Sequence, residues 1–233
     1  MALADYQERR VQLQNYFDRT AVDAWARLTS TAPVGRIRAT VRAGRDQMRA
    51  ALLGWLPADL DGTRLLDAGC GTGALSVEAA RRGAAVVAID LSPTLVRIAR
   101  ERLPVDLGGG RIDLRTGDML DASLGTFEHV VAMDSLIHYR TADMVRVLGA
   151  LAERTRHSIL FTFAPRTPLL AAMHAVGRMF PRADRAPAIE PVAEARLRDA
   201  LRAEPLLRGW RPSRTLRVAS GFYTSQALEI VRE

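Results

Sequence analysis

The stretch Asp67-Ala68-Gly69-Cys70-Gly71-Thr72-Gly73 sets a carboxylate against glycines at alternate positions. Glycine lets a backbone turn sharply and come close to a ligand. Taken alone, such a loop suits a dinucleotide phosphate as well as an uncharged nucleoside. Charge separates the two. A dinucleotide fold seats pyrophosphate on a helix N-terminus, where a carboxylate beside the loop would repel it. S-adenosylmethionine has no phosphate and carries an ammonium and a sulfonium, which a carboxylate favours. The spacing is GxGxG rather than GxGxxG, which points the same way. Asp90 lies 17 residues after Gly73. An acid there can accept hydrogen bonds from both ribose hydroxyls, and Leu91 follows it. Gly117-Asp118-Met119 offers a carboxylate to an adenine amine and a thioether to the ring; otherwise Asp118 is a turn residue. Asp134 completes a row of acids, and His138 stands four positions beyond it.

Short elements position these residues. Arg64–Ala68, Val86–Asp90, Ile112–Thr116, His129–Met133 and Ser158–Phe163 read as buried strands. Helices over Ala74–Arg82, Pro93–Arg102 and Ala142–Arg154 alternate with them, with Ser92 as an N-cap. That rhythm means βαβ units and a parallel sheet. Arg214–Ala219, a Ser220-Gly221 turn and Ala227–Val231 then add an antiparallel hairpin. The expected fold is α/β: a doubly wound, mostly parallel seven-stranded sheet, Rossmann-like, with every acid at a strand end. Two helices precede the sheet, Asp5–Phe17 with Val11, Leu13, Tyr16 and Phe17 apolar, and Val34–Trp55 with Ile37, Val41, Met48, Leu52 and Leu53. The organisation is one domain over 1–233: a helical arm or lid (1–57), a cofactor-binding core (58–164), a helical cap insertion (165–191) and a C-terminal helix and hairpin (192–233).

Bulk properties narrow the class. At 233 residues, 48% hydrophobic and 25% charged, the chain has the make-up of a globular domain. No apolar run approaches the roughly 20 residues that cross a bilayer. No signal-peptide core opens the sequence, and the single cysteine, Cys70, cannot form an internal disulfide. A cytoplasmic protein is expected. The net charge is +7 and lysine is absent, every basic side chain being arginine. These arginines are scattered, without the basic blocks of a nucleic-acid tail. Asp134 is followed by Ser135-Leu136-Ile137, not by the prolines of base-amine methyltransferases. Cys70 lies in the glycine loop as a small filler, not where a pyrimidine-carbon methyltransferase needs its nucleophile. No nucleic-acid partner and no metal-ligating set are expected.

The glycine loop with Asp67 and Asp90 resembles the class I S-adenosylmethionine methyltransferases. Further stretches resemble the magnesium-protoporphyrin methyltransferases of chlorophyll and bacteriochlorophyll synthesis. These are Tyr16-Phe17-Asp18, the segment Val41 to Gln47, Asp134-Ser135-Leu136-Ile137-His138-Tyr139, Phe163-Ala164-Pro165-Arg166-Thr167, Phe180-Pro181 and Gly221-Phe222-Tyr223-Thr224-Ser225. The likeness implies methyl transfer from S-adenosylmethionine to a propionate of magnesium-protoporphyrin IX, giving the 13-monomethyl ester and S-adenosylhomocysteine. It implies cofactor contacts from Asp67, Gly69, Gly71, Gly73, Asp90, Leu91, Asp118, Met119, Asp134, Tyr16 and Arg42, and catalytic roles for His138 and Tyr139. His138 can orient the propionate or meet the magnesium; without a ligand it would cap the helix near Thr141. Arg166, Met173, Val176 and Phe180 are expected at the macrocycle, Arg166 or Arg182 facing its acids, unless the insertion simply covers the core. Contact with the large subunit of magnesium chelatase, and at most peripheral contact with the photosynthetic membrane, are also implied. Oxygenic members carry tyrosine and histidine where this chain has Thr29 and Arg45, so roles of those side chains do not transfer. The arginine-rich composition looks like the proteobacterial branch.

Overall fold

A computed structural model describes residues 2–16, 18, 35–166 and 189–233. Thr29, Phe17, Met173, Val176, Phe180, Arg182 and most of the cap insertion lie outside the described residues.

Seven strands form one sheet: β1 (Arg64–Ala68), β2 (Ala85–Asp90), β3 (Arg111–Thr116), β4 (Phe127–Ala132), β5 (Thr155–Phe163), β6 (Trp210–Ser220) and β7 (Tyr223–Arg232). Their order is β3-β2-β1-β4-β5-β7-β6. The pairings β1·β2, β1·β4, β2·β3 and β4·β5 are parallel, and β7 runs antiparallel to both neighbours. The hairpin therefore folds back so that its second strand, not its first, joins β5. The direction of winding reverses between β1 and β4, and in such sheets ligands bind beyond the carboxyl ends at that reversal.

Alternation along the strands builds two apolar layers. Leu66, Val130, Ile159 and Phe161 face one layer with Met144, Leu148 and Leu151 of α5 (Thr141–Ala152), and with Leu197 and Leu201 of α6 (Glu194–Ala203). Leu65, Val131 and Leu160 face the other, against Met48, Leu52 and Leu53 of α2 (Arg36–Trp55) and Leu75, Ala79 and Ala80 of α3 (Ala74–Arg81). The helix α4 (Pro93–Glu101) starts as the sequence requires, with Ser92 Oγ accepting the Leu95 N–H at 3.1 Å.

Most differences from the sequence reading lie at element ends. Strand β5 begins three residues before Ser158, and β6 and β7 extend well beyond the expected hairpin. The first helix, α1 (Ala2–Asn15), buries Tyr6 and Leu13 rather than Val11, which is half exposed. Its buried side follows a polar anchor: the Tyr6 hydroxyl donates to Asp118 Oδ1 at 2.7 Å, and its ring stacks on Tyr139 with centroids 5.5 Å apart. Ile37, at helical spacing on α2, is exposed; that helix meets the core first through the partly buried Val41 and presents fully buried residues from Gly44 onward.

Gly44 is where α2 meets β7. A Cβ there would lie 2.5 Å from Cδ1 of Tyr223, closer than side chains tolerate. Gly54, on the same helix, has nothing within 4 Å of such an atom. Alanine at Gly54 is expected to stabilise the fold by up to about 1 kcal/mol through helix propensity. Alanine at Gly44 is expected to cost about 1–3 kcal/mol by overpacking despite the same propensity gain. Urea denaturation of the two variants, read beside the parent, checks the opposite signs.

Candidate active site

The carboxyl ends of β1, β2, β3 and β4 open into a cleft of about 690 Å³, counting the part open to solvent. Gly69, Gly71, Asp90, Leu91, Gly117 and Met119 line one part, with Ile89 and Leu95. Met133, Asp134, Ser135, His138, Tyr139, Arg45 and Leu13 line the rest.

The glycine loop follows β1 at once. Gly69 N–H and Cys70 N–H both donate to the Ile89 carbonyl, at 2.8 and 3.0 Å. Gly69 has φ 88°, and a Cβ there would stand 2.3 Å from Cβ of Ser135. Only glycine lets the loop pass so close to the turn after β4. Gly71 has φ 54° and open space where a Cβ would project, so a ligand can lie directly on its backbone. Gly73 caps α3 and does not line the cleft.

Asp90 takes the Gly71 N–H on Oδ2 and the Ser92 N–H on Oδ1, each at 2.9 Å. The carboxylate thus locks the glycine loop and still presents lone pairs to the cleft. Burial raises its pKa above the ordinary carboxylate value, opposed by those backbone donors. Asp67 sits deeper. It is 2% exposed, accepts the Ser76 hydroxyl at 2.6 Å and lies beneath the loop rather than on the cleft wall. Burial pushes its pKa up to about 7, with Asp90 adding to the rise. Burial likewise raises the Cys70 pKa, keeping it a thiol, as suits a filler.

Asp118 does not line the cleft. It receives Tyr6, Arg10 Nη1 at 2.8 Å and the Leu120 N–H at 2.9 Å, while its neighbours Gly117 and Met119 face inward. The expected acceptor for an adenine amine is thus engaged in holding α1 over the cleft. Asp18 accepts Ser92 Oγ at 2.6 Å, a second tie between the arm and a strand end. Tyr16 is half buried and Arg42 partly buried; neither lines the cleft. Arg166 is exposed, with its N–H donating to the Val192 carbonyl.

Asp134 is the most heavily bonded acid. Arg45 Nη1 donates to it at 2.6 Å, Tyr223 OH at 3.1 Å and Ser225 Oγ at 3.2 Å. Thr162 Oγ1 accepts its N–H at 2.7 Å and donates to Oδ1 at 3.1 Å. Its φ of 56° makes it the non-glycine residue in the left-handed region among the described residues, a conformation aspartate tolerates better than most. Arg45, within the Val41 to Gln47 stretch, carried no expected role because oxygenic members have histidine there; the adjoining Gly44, whose missing side chain admits Tyr223, is the local signal that this part of α2 reaches the site. His138 is 8% exposed and lines the cleft, whereas the helix beyond it starts at Thr141 with Arg140 as N-cap. Tyr139 is 2% exposed, and burial raises its phenol pKa, so it is a hydrogen-bond donor at neutral pH.

The sheet order and this cleft define a class I S-adenosylmethionine-dependent methyltransferase. Residues 65–158 match the model of a methyltransferase domain, and residues 132–232 match that of the magnesium-protoporphyrin IX methyltransferase C-terminus. The chain is 50% identical to the magnesium-protoporphyrin O-methyltransferase of Rhodobacter capsulatus, over 97% of this chain and 98% of that one. It is 30% identical to the Synechocystis enzyme of the same name, over 94% and 95%. The crystal structure of the Synechocystis magnesium protoporphyrin IX methyltransferase with bound SAH superposes with a TM-score of 0.83 at 30% identity, covering 96% of this chain and 99% of that one. The chain belongs to the magnesium-protoporphyrin O-methyltransferase family.

Two expectations follow. Asp90→Ala should weaken S-adenosylhomocysteine binding at least tenfold, since hydrogen bonds to a charged acceptor contribute about 1.5–3 kcal/mol each. Calorimetry on the folded variant checks it; unchanged affinity would remove Asp90 from the site. The second concerns pH. Unfolded, Asp67 ionises near the ordinary 3.8; folded, it keeps its proton up to about pH 7. Between those values the folded chain holds a proton that the unfolded chain has lost, so stability falls as pH rises. Asp67→Asn lacks that slope, so its stability should gain on the parent's from about pH 5 to about pH 7.5. Denaturation midpoints across the range measure the gap; a constant gap refutes the assignment.

Proposed function

We propose that the chain transfers a methyl group from S-adenosylmethionine to one propionate carboxylate of magnesium-protoporphyrin IX, giving the 13-monomethyl ester in bacteriochlorophyll synthesis. Full-length identity of 50% to the Rhodobacter capsulatus enzyme carries this reading. The cofactor fits the cleft: an acid at the end of β2, apolar Leu91, Leu95 and Met119 beside it, and bare backbone at Gly71. When bound, S-adenosylmethionine supplies a methyl group on a positively charged sulfur, ready for attack by an anionic oxygen.

The residues then have little proton chemistry to perform. A propionate resembles a glutamate side chain, with a pKa of about 4.3, and is ionised at neutral pH. Positioning its oxygen is the main requirement. His138, on the wall between Ser135 and Tyr139, is suited to hydrogen-bond the carboxylate and turn one oxygen toward the reacting carbon. Tyr139, kept neutral with its pKa raised by burial, is suited to donate its hydroxyl proton to the same oxygen without removing one from it. Its ring stacks on Tyr6, so α1 closes that end against water. Opposite charges neutralise as the ester forms, and a dry cleft favours that change more than water does.

Arg166, Met173, Val176 and Phe180 are proposed to meet the macrocycle. Handover from the large subunit of magnesium chelatase and peripheral contact with the photosynthetic membrane belong to the same proposal. The flat apolar substrate supports both, since transfer without release to water avoids its poor solubility. Among the described residues no helix is long and apolar enough to cross a membrane.

Incubating the protein with magnesium-protoporphyrin IX and S-adenosylmethionine should yield the monomethyl ester by chromatography, with one S-adenosylhomocysteine per ester. Absence of the ester at saturating cofactor would refute the substrate. His138→Phe should lower turnover by about 100-fold or more, the scale of a lost positioning contact, with S-adenosylhomocysteine affinity preserved. Near-normal turnover in that variant would leave His138 only a packing role.

A further inference from the structure

Arginines beside the cleft are held by carboxylates, but not equally. Arg45 meets Asp134 at 2.6 Å and Arg10 meets Asp118 at 2.8 Å, the lengths of charge-assisted hydrogen bonds. Arg9 reaches Glu190 Oε1 only at 3.5 Å, with the two side chains 24% and 36% exposed. A partly exposed pair of that length contributes little, so the guanidinium can change partners. Its position is set by α1 nonetheless. Arg9 precedes Leu13 by four residues and follows Tyr6 by three, which puts them on one helix face. Leu13 lines the cleft, and Tyr6 stacks on Tyr139, which also lines it. The Arg9 charge is near enough to Tyr139 to oppose the rise that burial imposes on its phenol pKa. Glu190 is fixed from the other side. Its N–H donates at 2.9 Å to the carbonyl of Ile137, the residue before His138.

The substrate proposed above carries two propionates, on adjacent rings and along one edge of the macrocycle. When one lies at His138 for reaction, its neighbour lies beside it at the cleft mouth. We propose that Arg9 takes this second propionate in exchange for Glu190, and thereby limits methyl transfer to one ester. The proposal rests on the substrate reading above. A guanidinium matches a carboxylate in charge and in the spacing of its donors. Glu190 acts as a placeholder until that carboxylate arrives. The same contact explains why reaction stops. For the monoester to react again, its free carboxylate must move to His138 and bring the ester to Arg9. An ester has no charge to exchange for that of Glu190, so the ion pair stays closed and the turned product is rejected. Specificity of this kind is a difference between two affinities, set by a group away from the reacting atoms.

Arg9→Gln and Glu190→Gln test it together, since they break one ion pair from opposite sides. Two ligands are titrated by fluorescence: magnesium-protoporphyrin IX, and the monomethyl ester in which the non-reacting propionate is masked. The parent chain should prefer the diacid. Arg9→Gln should lose about tenfold of that preference, the scale of a hydrogen bond to a charged group, and Arg9→Lys should keep part of it. Glu190→Gln should keep or raise the preference, because it frees the guanidinium. On prolonged incubation with S-adenosylmethionine, Arg9→Gln should also accumulate diester where the parent stops at one ester. Equal losses in Arg9→Gln and Glu190→Gln would reduce the pair to a tie that docks α1 and overturn the proposal. A parent without diacid preference, or an Arg9→Gln variant that retains it, would do the same. No diester from Arg9→Gln would overturn the limit to one ester. S-adenosylhomocysteine affinity reports whether α1 still covers the cleft. Should Arg9→Gln disturb it, Glu190→Gln decides alone, and a loss of diacid preference there is fatal. Absence of any ester from the parent would instead refute the proposed substrate, while the titrations still report on Arg9.

Discussion

The Asp134 carboxylate is the interaction on which the site depends. It gathers Arg45 from α2, Thr162 from β5, and Tyr223 and Ser225 from β7, immediately past the end of β4. Each donor comes from an element whose packing is settled elsewhere, so the carboxylate converts separate layers into one wall. Its backbone is strained at φ 56°, and the donors hold it there. That turn sets Ser135 under Gly69 and carries the chain toward His138 and Tyr139. Removing the acid would break its ion pair with Arg45 and release the turn together.

A second carboxylate, Asp90, plays the matching part on the other side of β1. It fixes Gly71 and Ser92 before any ligand arrives. Preorganisation of this kind lowers the ordering cost of binding. Asp67 contributes differently, from below, through Ser76 and the start of α3. Three acids on adjacent strand ends thus serve three purposes: one offers lone pairs, one supports the loop, and one binds the sheet's halves.

The sheet was legible because buried parallel strands are short apolar runs separated by helical periods. Arg64–Ala68 has the expected bounds, and Ser92 is the expected cap. The glycine loop and Asp90 were legible because their chemistry is local in sequence. What escaped were relations between distant segments. Arg45 and Asp134 are 89 positions apart, and no periodicity couples them. Asp118 was expected at adenine from its place after the third strand; its bonds to Tyr6 and Arg10 come from more than a hundred positions away, and no local pattern announces them. Tyr6, which was not among the apolar residues expected of α1, is hidden from a hydropathy pattern for the same reason. Tyr6 is drawn in by a hydrogen bond and a ring stack, while Val11 obeys the hydropathy pattern and is exposed.

The insertion of β7 between β5 and β6 has a consequence for how the protein is made. Ribosomal synthesis delivers the glycine loop, Asp90, Asp134 and His138 well before Tyr223 and Ser225. Strands β1 to β5 can associate on the emerging chain, yet β5 keeps an open edge until the hairpin arrives and turns back. Through that interval Asp134 lacks its β7 donors and Gly44 lacks the ring it packs against. The Asp134 turn is therefore completed only after β7 emerges, by a strand that contributes no residue to the cleft wall.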